Sequence, residues 1–152
     1  MIVKSLEHLN SLSQKVAEKL SKNNCIFLIG EIGVGKTTFT RYLINHLQEK
    51  NGEKITEVLS PTFNLLYEYD LKTIKIMHYD LYRIKDEKEL KHLGIFLDKK
   101  DTIKIIEWPQ LINIPLPDKL EIHLDYVKNE KEREIKFIGT DRWKFLNFSF
   151  FA

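Results

Sequence analysis

A chain of 152 residues that is 43% hydrophobic and 30% charged can bury one substantial core and is too short for two ordinary domains, so a single domain over residues 1–152 is expected. Its net charge of +2, with Lys and Glu interspersed, leaves no block of like charge to mark a nucleic-acid or anionic-membrane surface, and any RNA connection must run through partners. No apolar run approaches the ~18 residues of a bilayer span and residues 1–10 lack a signal-peptide apolar region, a pattern that reads as cytoplasmic.

Leu6, Leu9, Leu12, Val16 and Leu20 recur at helical spacing, which predicts an amphipathic helix over 6–21 with Ser5 as its N-cap. Residues 25–29 form an apolar strand. Its Cys25 is the one cysteine of the chain, so it has no internal disulfide partner and reads as a small buried hydrophobe. The strand runs directly into Gly30-x4-Gly35-Lys36-Thr37, the phosphate-binding P-loop pattern in the context it requires. Gly30, Gly33 and Gly35 allow successive N–H groups to turn inward around phosphate oxygens. Lys36 then neutralises β- and γ-phosphate charge, Thr37 offers a hydroxyl to Mg²⁺, and the helix beginning there aims its positive end at the anion.

Asn51 and Gly52 stop that helix, and residues 55–59 read as a short strand leading into Ser60-Pro61-Thr62-Phe63. Residues 64–69 and 73–80 predict an antiparallel hairpin. Asp86 caps a helix reaching about Leu93, which Gly94 ends; residues 102–107 are a buried strand, and Pro109, Pro115 and Pro117 keep the following stretch irregular. Residues 119–126 and 133–139 form a final hairpin. The aromatic tail, about 140–152, is expected to pack back on the domain. The sum is an α/β fold in three layers, with a mixed sheet that is parallel around the P-loop and antiparallel at the hairpins.

A P-loop needs a further acid near Mg²⁺, normally at the C-terminal end of a neighbouring apolar strand. Two strands qualify, one ending at Asp80 and one at Glu107, and spacing does not say which acid lies nearer the metal. Thr62, held by Pro61 in a loop, can present its hydroxyl to the γ-phosphate or Mg²⁺ as a nucleotide-sensing switch does. His78 shares a strand face with Asp80 and reads as structural or orienting; Trp108 either lines the site edge or fills the core.

The ordered set GEIGVGKTTFTR, SPTFNLLYEY, HYDLYRI, LGI and IEWP followed by LPDKLEIHLDY resembles the TsaE family, formerly YjeE, of tRNA threonylcarbamoyladenosine biosynthesis ATPases, over most of residues 5–139. The resemblance implies an ATP- and Mg²⁺-dependent P-loop ATPase that works with a TsaB–TsaD complex and meets tRNA only through it. It implies a nucleotide cradle from Gly33 to Thr38, with Val34 and Gly35 inside it, Lys36 on phosphate and Thr37 on the metal. Thr62 would sit in the switch-like loop. Asp80 and Glu107 would be the acids at the metal and the attacking water, Glu107 the stronger candidate for the metal, with Trp108 lining the site. Arg133 looks similar to a basic residue that reaches the nucleotide. Ile32 and Val34 stand where Leu and Ala are commoner in the family loop. The rival readings are a small-molecule kinase, which would need an arginine-rich lid that is not apparent, and a non-hydrolysing assembly factor; a GTPase would need an Asn-Lys-x-Asp segment, which is absent.

Overall fold

The computed structural model describes residues 1–145 and 148–151. Its elements run β1 (Ile2–Val3), α1 (Leu6–Lys19), β2 (Cys25–Ile29), α2 (Lys36–Lys50), β3 (Leu66–Asp70), β4 (Lys75–Asp80), α3 (Glu87–His92), β5 (Thr102–Glu107), β6 (Lys119–Tyr126) and β7 (Arg133–Gly139). Short 3₁₀ turns follow at Pro109–Leu111, Asp141–Phe145 and Phe148–Phe151. The seven strands form one sheet in the order β1-β7-β6-β2-β5-β4-β3. β2 pairs in parallel with β5 and β6, and β5 in parallel with β4; the two hairpins and β1 add antiparallel edges.

The central strands are apolar on both faces because both are covered. Ile26 and Leu28 join α1 and α2 through Leu12, Val16, Phe39 and Leu43 on one side. Cys25 and Phe27 point to the other, where Met77, Tyr79, Leu90 and Ile95 close the second layer. Burial pushes the Cys25 thiol up to about 12, as expected of a core cysteine. Ser5 caps α1 by accepting from the His8 N–H at 3.1 Å, and Asp86 caps α3 by accepting from the Lys88 N–H at 2.9 Å. Among the described residues no helix is long and apolar enough to cross a membrane.

Residues 55–59 are not a strand. Side chains of α2 take the backbone of Thr56 and Val58 in place of a sheet ladder: Asn45 Nδ2 donates to the Thr56 carbonyl at 3.1 Å, Arg41 Nε donates to the Val58 carbonyl at 3.3 Å, and the Thr56 N–H donates to Gln48 Oε1 at 3.2 Å. Val58 is buried and anchors the segment in the core. Polar side chains along one helix, which a strand pattern does not weigh, decided the conformation.

The tail returns to the body of the fold. Trp143 is fully buried and its indole Nε1 donates to the Asp118 carbonyl at 3.0 Å; a Cβ at Gly139 would collide with it. Phe148 and Phe151 stack with Phe137 of β7, at centroid distances of 5.8 and 4.8 Å. Residues 146, 147 and 152 of the tail lie outside the described residues. Trp143→Ala is therefore expected to destabilise the protein by about 3–5 kcal/mol in urea unfolding, through the cavity it leaves.

Candidate functional site

Parallel pairing brings three strand ends to one edge of the sheet. Leu28 of β2 is level with Glu107 of β5, and Glu107 is level with Asp80 of β4. The chain leaving β2 makes the loop 30–35, and Gly35, at φ +118°, hands it to α2 through a backbone conformation that L side chains rarely adopt. Lys36 and Thr37 open α2, so the helix's unsatisfied N–H groups and its positive end face the two acids.

Three contacts define the edge, two of them sharing Glu107. The Thr37 hydroxyl donates to Glu107 Oε1 at 2.8 Å, His78 Nε2 lies 2.6 Å from Glu107 Oε2, and the Thr62 hydroxyl donates to Asp80 Oδ2 at 3.0 Å. Asp80 Oδ1 also accepts from the Tyr82 N–H at 3.0 Å. Glu107 is 1% exposed and Asp80 is 3% exposed, so both carboxylates act in a medium of reduced polarity. Burial raises the Asp80 carboxyl above the usual carboxylate range; the Tyr82 N–H opposes the shift, and the Glu107 charge adds to it.

Lys36 does not wait as an unpartnered cation. Its Nζ donates to the carbonyls of Gly30 and Glu31 at 2.7 and 2.8 Å and lies 4.1 Å from the centroid of the Trp108 ring. Burial lowers its ammonium below the ordinary value, while the Glu107 and Asp80 charges push back. Trp108 reaches this place because the chain turns through a left-handed conformation, φ +58°, immediately after β5; its ring meets Tyr82 at 4.9 Å.

Gly33, Gly35, Lys36, Thr37, Thr38, Thr62, Asp80, Glu107 and Trp108 thus line one cavity of about 240 Å³, with Ile32 and Tyr82 at its wall. Ile32 is 69% exposed at the loop tip, whereas the Val34 side chain turns into the core and only its backbone belongs to the loop. Arg133 stands on the other side of the P-loop. Its Nε donates to the Val34 carbonyl at 2.9 Å and its Nη1 to the carbonyls of Glu130 and Glu132, with the guanidinium 4.3 Å from the Tyr126 ring centroid. There it borders a second cavity of about 400 Å³ shared with Leu6, Leu9 and Thr38. Sequence reasoning missed Tyr82 and Tyr126, whose hydroxyl donates to the Ile32 carbonyl at 3.2 Å, because neither sits in a recognisable phosphate motif. The signal for Tyr82 was its place directly after Asp80 and Leu81 at a strand end; Tyr126 offered none beyond closing a strand.

A phosphate loop between a central parallel strand and a helix, with acids at the ends of the next two strands, defines a P-loop nucleotide-binding protein of the α/β class. The family model described as threonylcarbamoyl adenosine biosynthesis protein TsaE matches residues 3–135. The chain belongs to the TsaE family. It is 34% identical over 132 residues to the tRNA threonylcarbamoyladenosine biosynthesis protein TsaE of Rickettsia felis, covering 86% of this chain and 75% of that one. It is 38% identical over 116 residues to the protein of that name from Rickettsia typhi, covering 76% and 78% respectively. A crystal structure of Bacillus subtilis YdiB superposes with a TM-score of 0.67 at 25% identity, covering 93% of this chain and 84% of that one.

The raised Asp80 carboxyl has a consequence for stability. Below the ordinary carboxylate value, about 3.9, Asp80 is neutral folded and unfolded and carries no penalty. As pH rises from there through the raised folded value, the unfolded chain ionises first and the native state loses stability relative to it. Asp80→Asn is expected to raise the urea midpoint at pH 7 and to lose that advantage in acid below about pH 3.9.

Proposed function

We propose that this chain is a cytoplasmic ATPase component of tRNA threonylcarbamoyladenosine biosynthesis, a single domain over residues 1–152 that binds MgATP and acts with a TsaB–TsaD complex. The carrying observation is the Thr37–Glu107 contact of 2.8 Å at the N-terminus of α2, beside Lys36, in a chain of the TsaE family. A helix-terminal hydroxyl and a carboxylate are hard oxygen donors suited to Mg²⁺, which keeps waters and takes its remaining ligands from phosphate. Among the described residues no three His, Cys, Asp or Glu side chains converge, so such a cation would be held by Thr37 and Glu107, with Asp80 on its water side. When bound, Mg²⁺ supplies charge neutralisation between the β- and γ-phosphates.

The chain's own groups have separable roles in this reading. The loop N–H groups from Gly33 to Thr38 cradle the phosphates, with Ile32 and Val34 contributing backbone, and Lys36 leaves its two carbonyls to meet them. Asp80, made more basic by burial, orients and deprotonates the attacking water, and Thr62 senses the γ-phosphate from the adjoining loop. Trp108 walls the site from solvent. Leu6, Leu9 and the Arg133 side chain form the second cavity, beside Thr38, of a size and apolarity suited to the nucleoside. tRNA is met through the protein partners.

Lys36→Ala is expected to weaken ATP binding by about 10- to 100-fold in calorimetry, the worth of one or two charge-assisted hydrogen bonds; undiminished affinity would remove the phosphate-loop reading. Glu107→Ala and Asp80→Ala are each expected to cut phosphate release by about 10²-fold or more while changing ATP affinity far less. The isolated protein should hydrolyse ATP slowly and purified TsaB–TsaD should accelerate it, because no arginine is among the residues lining the cavity of the site. Fast hydrolysis alone, with no partner response, would favour an independent enzyme.

A further inference from the structure

We propose that His78 is a positioning residue for the site: its ring locks the Glu107 carboxylate so that Oε1 is presented at Thr37, where the MgATP reading above, on which this inference rests, requires a cation ligand. His78 is fully buried in β4, diagonally across from Glu107 in the parallel β4–β5 register, and its Nε2 lies 2.6 Å from Glu107 Oε2. With Glu107 ionised, the Nε2–H donates. The other oxygen, Oε1, accepts from Thr37 at 2.8 Å. One carboxylate is thereby held from two elements, a strand and a helix, and cannot turn about its terminal bond without breaking a bond at either end.

The second ring nitrogen argues that this bond is the reason the histidine is there. Nδ1 is buried and has no hydrogen-bond partner among the described residues, the one such side-chain atom that they contain. A histidine retained for packing would be improved by an apolar side chain, which brings no unpaired nitrogen into the core. Ile76, two residues earlier on the same face of the strand, is fully buried and apolar. Among the described residues, the one hydrogen bond the ring makes is with the acid of the site. Groups that orient a metal-binding carboxylate from behind typically change metal affinity by about 10- to 100-fold when removed.

The test measures ATP binding to the full chain by calorimetry in Mg²⁺ and in EDTA, for the wild type, His78→Leu and His78→Gln, with thermal melts as a folding control. Gln is chosen because its amide nitrogen can donate near the place of Nε2. The expected result is that His78→Leu keeps the affinity measured in EDTA, loses about 10-fold or more of the gain brought by Mg²⁺, and that His78→Gln recovers most of that gain. Mn²⁺ electron paramagnetic resonance in the presence of ATP should show the same loss and recovery in cation affinity directly. A folded His78→Leu with the full Mg²⁺ gain overturns the proposal, as does a folded His78→Gln that lacks it, or an equal fall of affinity with and without the cation. If His78→Leu does not fold, the Gln variant decides by the same criterion, and two unfolded variants mark the ring as structural and overturn the proposal. A wild type that binds no ATP, or gains nothing from Mg²⁺, fails the MgATP reading itself, and so is distinguishable from a failure of the histidine's role alone.

Discussion

The parallel register of β2, β5 and β4 is the constraint on which the site depends. Parallel strands start together and end together, so Leu28, Glu107 and Asp80 arrive at one edge, and the loop leaving β2 has acids beside it without any long-range search. Antiparallel pairing would have sent one of those acids to the far side of the molecule. The helices that make parallel pairing possible also supply its chemistry: α2 is at once a crossover that buries the sheet and the helix whose first turn carries Lys36 and Thr37. Packing and site geometry are therefore set by neighbouring residues of one helix, and a loss of core contact at Phe39 or Leu43 would be felt at Thr37, less than two turns away.

Much of this arrangement was legible in the residues. Near-continuous apolar runs at residues 25–29 and 102–107 announced buried strands, and Gly-rich spacing after the first of them located the loop. The hairpins of β3 with β4 and β6 with β7 followed from short polar breaks between β-like runs, and the family resemblance agrees with the match over residues 3–135. The failure at residues 55–59 has a physical cause: Asn45, Gln48 and Arg41 of α2 offer hydrogen bonds that compete with a ladder, and nothing in a local pattern reports side chains that lie a dozen residues away.

The site was read less completely. Spacing left open which of Asp80 and Glu107 lies closer to Thr37; the structure puts Glu107 in contact with that hydroxyl and gives Asp80 to Thr62. The phosphate motif assigns Lys36 to the phosphates and is silent on the free protein, where two loop carbonyls and the Trp108 ring hold it. Backbone acceptors are invisible to motif reasoning because every residue has one. Arg133, placed at the nucleotide by resemblance, donates from Nε to the Val34 carbonyl and from Nη1 to the carbonyls of Glu130 and Glu132, and borders the second cavity.

The tether on Lys36 turns occupancy of the loop into an exchange reaction. An arriving anion must outcompete two carbonyl oxygens and an aromatic face that already satisfy the ammonium, so the free loop is guarded against small anions that bring a single weak acceptor. A chain of several phosphoryl groups repays the lost contacts many times over, through the helix terminus and the loop amides together. On the MgATP reading proposed above, the resting position of this one side chain would weigh against inorganic phosphate, abundant in any cell, and in favour of a nucleoside polyphosphate.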